Sequence, residues 1–302
     1  MNRTRLILRL ARLHFLVLGF LLYLLGYLIA SFYGARPDIV RFLFGYLVFS
    51  LAHLSVSFSN DYFDRFADRN SEKTFFSGGS KVLVEYPELE RLSLKIAVSL
   101  LVASIFGIGF LTFAFDYSPL LVVFGSIGGL TGWFYTAPPL KLAYRGFGEL
   151  VTMLAVGFLM PGMGYFIALG FLSLPFLPWV FPLSCYGIFF IITVELLDLE
   201  SDKTANKVTF VVRWGIGKSK TISLVATLLG TISLLAINLS ALSKTIYLTP
   251  TVFFSLVPLT AAALSFAGDK QNRRKLARQV TVNMLSMVVF IMGINGILLS
   301  QL

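Results

Sequence analysis

The amino-acid sequence predicts an all-α membrane protein of nine transmembrane helices, arranged as two four-helix pseudo-repeats around a central cavity plus a ninth helix. Three observations lead there. Of the 302 residues, 57% are hydrophobic and 13% charged, and the mean hydropathy of +0.82 lies well outside the range of a soluble domain. Apolar stretches near twenty residues long, enough to span a bilayer, can be placed nine times along the chain. The basic residues between those stretches fall almost entirely on one side.

The first stretch, 13–33, follows Arg3, Arg5, Arg9 and Arg12 and runs to Tyr33 without a small-residue cleavage site. It reads as a retained helix rather than a signal peptide. The second, 39–59, ends where an acidic cluster begins. Stretches 94–115 and 118–137 complete the first half, and the latter stops at Pro138-Pro139, a pair that ends a helix by itself. Glu149 opens the fifth, 149–171, where a carboxylate complements the helix dipole. A short Ser/Pro turn separates it from 176–197, which ends at a second acidic cluster. The last three are 220–240, 247–267 and 280–300; Arg273, Arg274, Lys275 and Arg278 precede the ninth and suit an anionic leaflet. Cys185 lies mid-span as a small packing residue, and a single cysteine allows no disulfide within the chain. His14 and His53, in the first two helices, read as hydrogen-bonded packing groups.

Sidedness follows from charge. With the N-terminus cytoplasmic, all of the 25 Lys and Arg residues except Arg36, Arg41 and Lys244 lie on the cytoplasmic face, as the positive-inside rule requires. The net charge of +10 therefore calls for no nucleic acid. The expected location is the cell's inner membrane, with the N-terminus and the long connections 60–92, 138–147 and 198–219 in the cytoplasm. Long connections in such a protein finish binding sites, so function is expected on that side.

The acidic clusters carry the chemistry. One reads Asn60-Asp61-x-x-Asp64-x-x-x-Asp68 and the other Glu195-x-x-Asp198-x-x-x-Asp202. Offsets of three and seven residues fall within roughly 60° on a helix, so each cluster crowds its carboxylates on one face. Clusters ending the second and sixth helices make a parallel repeat, about 1–147 and 148–268, within one domain spanning 1–302. Facing each other across a cavity, they suit hard divalent cations, two Mg²⁺ ions with Mn²⁺ able to substitute, that bridge carboxylates to a substrate's phosphates. Lys73, Lys81, Lys203, Lys207 and Arg213 stand near enough in sequence to bind outer phosphate oxygens.

Metal and phosphate at the edge of a greasy cavity point to an amphiphilic diphosphate with a hydrocarbon tail. Ionising an allylic diphosphate separates charge, which cations stabilise on the leaving group and aromatic faces on the carbocation. Two other classes fit less well. A divalent-cation or organic-ion transporter places ionisable groups near mid-membrane and often has inverted repeats. A phosphatidyl-type transferase would carry one acidic motif rather than two.

Asn60-Asp-Tyr-Phe-Asp-Arg-Phe-Ala-Asp68, Asp198-Leu-Glu-Ser-Asp202 and Tyr135-Thr-Ala-Pro-Pro139 are similar to the motifs NDxxDxxxD, DxxxD and Y-[ST]-x-P-P of the UbiA superfamily of intramembrane prenyltransferases. Phe76-Ser-Gly-Gly-Ser-Lys-Val-Leu-Val-Glu85 and Lys207-Val-Thr-Phe-Val-Val-Arg-Trp-Gly215 resemble its menaquinone-type branch, which prenylates dihydroxynaphthoate. The resemblance implies Mg²⁺-dependent transfer of a prenyl group from a prenyl diphosphate to an aromatic, lipophilic acceptor in the membrane lipid, with no obligate protein partner. It implies metal ligands at Asn60, Asp61, Asp64, Asp68, Asp198 and Asp202, and substrate contacts at Asn60, Lys73, Lys81, Lys141, Lys207 and Arg213. Tyr135 and Lys141 would lie near the reacting centre, and His14 could meet the acceptor head group. The second cluster has Val194 and Glu195 where the first has Asn60 and Asp61, which leaves open whether Glu195 touches metal. The superfamily also serves glycerol phosphate lipids, so prenyl transfer to such a hydroxyl stays as the alternative.

Overall fold

The structure, a computed structural model, describes residues 2–69, 71, 78–240 and 247–302, and its regular elements there are helical. Among the described residues, eight helical segments are long and apolar enough to cross a membrane, and the protein is an integral membrane protein. The expected fourth span is shorter than predicted. It forms helix α6, Leu120–Trp133, of 14 residues, because Pro119 and the Phe134–Pro139 turn bracket it.

Ahead of the first span stands a separate helix, α1 (Arg3–Ala11), capped by Asn2 accepting from Thr4 N–H at 3.1 Å. Its Leu6, Leu10 and Ala11 pack on Phe58, Val82, Leu83 and Leu89 while Arg3 and Arg5 face outward. The spans follow as α2 (His14–Ser31) and α3 (Ile39–Arg69). The 31 residues of α3 amount to ~46 Å at the rise of an α-helix, well beyond the expected 39–59. No proline or glycine interrupts its last third, so the helix carries the first acidic cluster on its own extension rather than in a loop.

After the one-turn α4 (Val82–Glu85), α5 (Glu90–Ala114) packs along α3. Ser55, Ser93 and Ser104 donate across that seam to the carbonyls of Ala97, Phe58 and Val48 at 2.8, 3.0 and 3.0 Å. The next span is α7 (Gly148–Leu154) and α8 (Met160–Leu169), joined through a π-helical stretch at Ala155–Leu159. Helix α9 (Leu177–Glu195) stops at Glu195, and Leu196–Asp198 turn before the short α10 (Leu199–Thr204). The second cluster is therefore split between two helices, unlike the single face expected from its spacing.

Helix α11 (Phe210–Leu239) starts ten residues before the predicted span and bends at Gly215, whose φ of 74° favours glycine. α12 (Thr249–Ala267) and α13 (Arg273–Leu299) close the bundle, and α13 packs on both α9 and α2. Arg273, Arg274, Lys275 and Arg278 sit on its first two turns rather than before it. Asn295 donates to the Leu21 carbonyl at 2.9 Å, joining the last helix to α2.

The tightest contact lies between α2 and α8. A Cβ at Gly26 would stand 1.7 Å from the Pro161 carbonyl oxygen, and one at Gly164 would stand 1.9 Å from that of Tyr23. Only glycine lets the two backbones meet there. Outward-facing Phe106, Phe113, Leu174 and Leu239, each at least 75% exposed, present the apolar surface that lipid requires.

Candidate active site

A cavity of about 360 Å³ runs up the middle of the bundle from the acidic end. One stripe of α3 lines it, in the order Asp68, Asp64, Asn60, Val56, His53 and Phe49, as i, i+4 and i+7 spacing dictates. Gly125, Gly128, Gly129 and Gly132 of α6 line it too; a Cβ at Gly125 or Gly132 would stand 2.3 Å from Ile108 or 2.5 Å from Val56, so these glycines let α6 pack closely on its neighbours. Glu195, Asp198 and Asp202 line the far wall with Lys207, and Tyr135 and Thr152 stand beside them. The acidic sets thus share one cavity whose deeper part is walled by Leu22, Ile108, Phe124, Met160 and Met163.

Each acidic side chain is held by particular neighbours. Asn60 Oδ1 accepts from the Thr136 hydroxyl at 2.8 Å, which gives the Tyr-Thr-Ala-Pro-Pro segment a role: it fixes an amide of the first motif. The Pro138–Pro139 peptide bond in that segment is cis. Asp61, 3% exposed, accepts weakly from Ser80 N–H at 3.4 Å, and its Oδ2 has no donor. Asp64 Oδ1 accepts from the Tyr144 hydroxyl at 2.7 Å, and its Oδ2 pairs with Lys207 Nζ at 2.9 Å. Lys207 also reaches Asp202 Oδ1 at 3.7 Å, while its backbone N–H donates to the Asp202 carbonyl at 2.9 Å. Gly79, at φ +64°, leaves the space for Asp68: a Cβ there would stand 2.1 Å from Asp68 Oδ2.

Electrostatics follow from burial and crowding. Burial pushes the Asp202 carboxyl up to about 6 against the pull of Lys207. Burial alone would depress the Lys207 ammonium, but Asp64 and Asp202 together outweigh it and hold the group well above its ordinary value. Burial, and then Asp64, raise the Tyr144 phenol, which stays protonated and donates.

Other predicted residues are placed differently. Lys81, in the left-handed region at φ 64°, turns its ammonium onto the carbonyls of Asp68 and Ser71, so it closes the end of α3. Lys141 and Arg213 are exposed and do not line the cavity; the Lys141 ammonium lies 5.5 Å from the centre of the Tyr144 ring. Lys73 lies outside the described residues. Glu149 sits in the first turn of its own helix, as expected, and its Oε1 also accepts from Phe210 N–H at the start of α11. His53 lines the cavity edge-on to Phe49, and its Nδ1 has no partner. Thr136, Tyr144 and Arg12, which also lines the cavity, were not singled out as contacts from sequence.

The residues present fit a hard divalent cation. The donors are all oxygens, Asp61 Oδ2 is buried without a donor, and a side-chain-free Gly79 admits the Asp68 carboxylate. Among the described residues, no three acidic or histidine side chains yet close on one point; the Lys207 ammonium bridges the two sets instead.

A polytopic helical membrane enzyme, with two acidic sets at the mouth of an apolar cavity, is the class these features define. Residues 19–288 match the UbiA prenyltransferase family, and the chain belongs to it. The 1,4-dihydroxy-2-naphthoate octaprenyltransferase of Bacillus subtilis (strain 168) is 24% identical over 212 residues. That alignment covers 68% of this chain and 65% of that protein, just under two thirds of its length. Among solved structures, the UbiA homologue of Archaeoglobus fulgidus bound to GPP and Mg²⁺ superposes with a TM-score of 0.68 at 17% identity, over 96% of this chain and 99% of that one. A digeranylgeranylglyceryl phosphate synthase gives 0.64 at 18%, over 98% and 100%. At those identities the likeness is one of fold.

Proposed function

We propose that the protein transfers a prenyl group from an allylic prenyl diphosphate to an aromatic acceptor of the quinone-precursor type, within the membrane. The observation that carries this is the join of two surfaces in one cavity: carboxylates from both acidic motifs at its mouth and a continuous apolar wall behind them. A diphosphate with a hydrocarbon tail matches that division. The relative named for 1,4-dihydroxy-2-naphthoate and the Archaeoglobus fulgidus structure bound to GPP and Mg²⁺ support the reading.

Asn60, Asp61, Asp64, Asp68, Asp198 and Asp202 would hold two Mg²⁺ ions, whose charge would stabilise the departing diphosphate. Thr136 and Tyr144 keep Asn60 and Asp64 in register for that task. Lys207 supplies a cation at the same place for the outer phosphate oxygens. Tyr135 lines the same cavity, where its ring would stabilise the allylic cation and the apolar wall would keep water from capturing it. An electron-rich aromatic carbon attacks that cation without prior deprotonation and regains aromaticity by losing a proton or its carboxyl group as carbon dioxide, whereas a glycerol hydroxyl needs a base. The active mouth would face the cytoplasm of the inner membrane, as the basic residues around it favour.

The test is product formation. Purified protein in detergent is incubated with Mg²⁺, a radiolabelled prenyl diphosphate, and 1,4-dihydroxy-2-naphthoate in competition with a glycerol phosphate lipid. A labelled prenyl naphthoate as the main product supports the assignment. A labelled glycerol ether would overturn the aromatic acceptor and keep prenyl transfer.

A further inference from the structure

We infer that Glu195 is the residue that selects the acceptor, by taking a hydrogen bond from an acceptor hydroxyl. This rests on the aromatic reading above. Glu195 ends α9, three residues before Asp198 across the turn that follows, and lines the cavity. It is 5% exposed, and no donor meets either of its carboxyl oxygens. Its foremost charged neighbour is Glu149, 1% exposed, whose Oε1 accepts from the Phe210 N–H and whose Oε2 has no donor from another residue.

Two buried carboxyl groups facing each other can hold one proton between them, but that still leaves oxygens of Glu195 without a donor, a cost that a bound hydroxyl would relieve. The prenyl tail cannot, having no O–H or N–H. A metal ion shared with Asp198 and Asp202, the other carboxylates that act on Glu195, is the competing occupant, and the Mn²⁺ measurement below separates the two. A hydroxylated aromatic acceptor brings both a donor and a flat apolar body. Bound on Glu195, its ring would stand on the hydrocarbon side of the diphosphate, beside Tyr135.

The experiment measures binding, not turnover. Naphthoate fluorescence reports anaerobic titrations of the wild-type protein, Glu195→Gln and Glu195→Ala with 1,4-dihydroxy-2-naphthoate and with its 1,4-dimethoxy analogue. Mn²⁺ binding is followed in parallel by electron paramagnetic resonance, and thermal unfolding checks that each variant is folded. The dihydroxy compound is expected to bind Glu195→Ala about 10- to 100-fold more weakly, with Glu195→Gln between, and the preference over the dimethoxy analogue should vanish. Mn²⁺ affinity should stay as in the wild type. Unchanged naphthoate binding in Glu195→Ala overturns the inference while leaving prenyl transfer to stand, and a parallel loss of Mn²⁺ makes Glu195 a metal ligand instead. Wild-type protein that ignores the naphthoate yet prenylates another acceptor would sink both the inference and the aromatic assignment.

Discussion

Lys207 Nζ lies 2.9 Å from Asp64 Oδ2 and 3.7 Å from Asp202 Oδ1, so a single ammonium ties the two acidic motifs together. Both partners are mostly buried, so removing either would leave an uncompensated charge away from water.

Replacing that ammonium should have opposite effects on two ligands. Lys207→Met leaves Asp64 and Asp202 uncompensated, so the metal-free protein is expected to lose about 3–5 kcal/mol of stability. Mn²⁺ should bind the variant more tightly than the wild type, and prenyl diphosphate more weakly. Thermal unfolding with and without Mg²⁺, and Mn²⁺ titration, check each part; a variant with weaker Mn²⁺ binding would refute the competition.

The acidic side chains themselves should be indispensable. Asp64→Asn and Asp198→Asn are each expected to lower the rate by about 10²-fold or more, with the fold retained. Because both would act on one diphosphate, the double variant should be little worse than either single one. Full activity in the absence of Mg²⁺ and Mn²⁺ would contradict the assignment.

Proton and metal should compete at Asp202. Its folded value of about 6 stands above the ordinary 3.8, so the fold favours the protonated form. The stability this group contributes is complete below about 3.8 and lost as pH rises through about 6. Metal-free protein should therefore gain in Tm from this group as pH is lowered from 7.5 to 5, and Mg²⁺ affinity should fall over the same interval. Calorimetry at the two pH values measures both.

Gly79 gives a steric test. Gly79→Ala sets a methyl on Asp68 at a positive φ and should cost about 1–3 kcal/mol and most of the activity. Gly109→Ala on α5, with nothing within 4 Å, should be near wild type in both.

Sidedness is open to labelling in a Cys185→Ser background. A cysteine at Glu200 should react only from the cytoplasm and one at Arg36 only from outside. Labelling of both from the same side would reverse the topology argued from charge.

The helical class, the membrane and the two acidic motifs were readable because each rests on a pattern local to a few turns. Helix ends were harder. Hydropathy stops counting where polar residues begin, so it cut α3 at 59 although the helix runs on to Arg69, missed the basic first turns of α13, and lost the start of α11 behind Arg213, Gly215, Gly217, Lys218 and Lys220. The break after Glu195 left no mark either, since Leu196 and Leu197 suit a helix well. Partnerships across the bundle were beyond local patterns: nothing near Thr136, Tyr144 or Glu149 in sequence points to Asn60, Asp64 or the start of α11. Lysines were legible as basic and not as occupied, so Lys81 and Lys207 looked alike until one was found on carbonyls and the other on carboxylates.

The glycine contact between α2 and α8 makes the far end of the bundle a fulcrum. With Gly26 against the Pro161 carbonyl and Gly164 against that of Tyr23, the backbones there have no slack to separate without losing contact along the seam. Any widening that admits a bulky molecule must grow with distance from that pivot, like the opening of a pair of tongs. The largest travel then falls at the acidic mouth, where a small tilt of either half changes the gap that Lys207 spans.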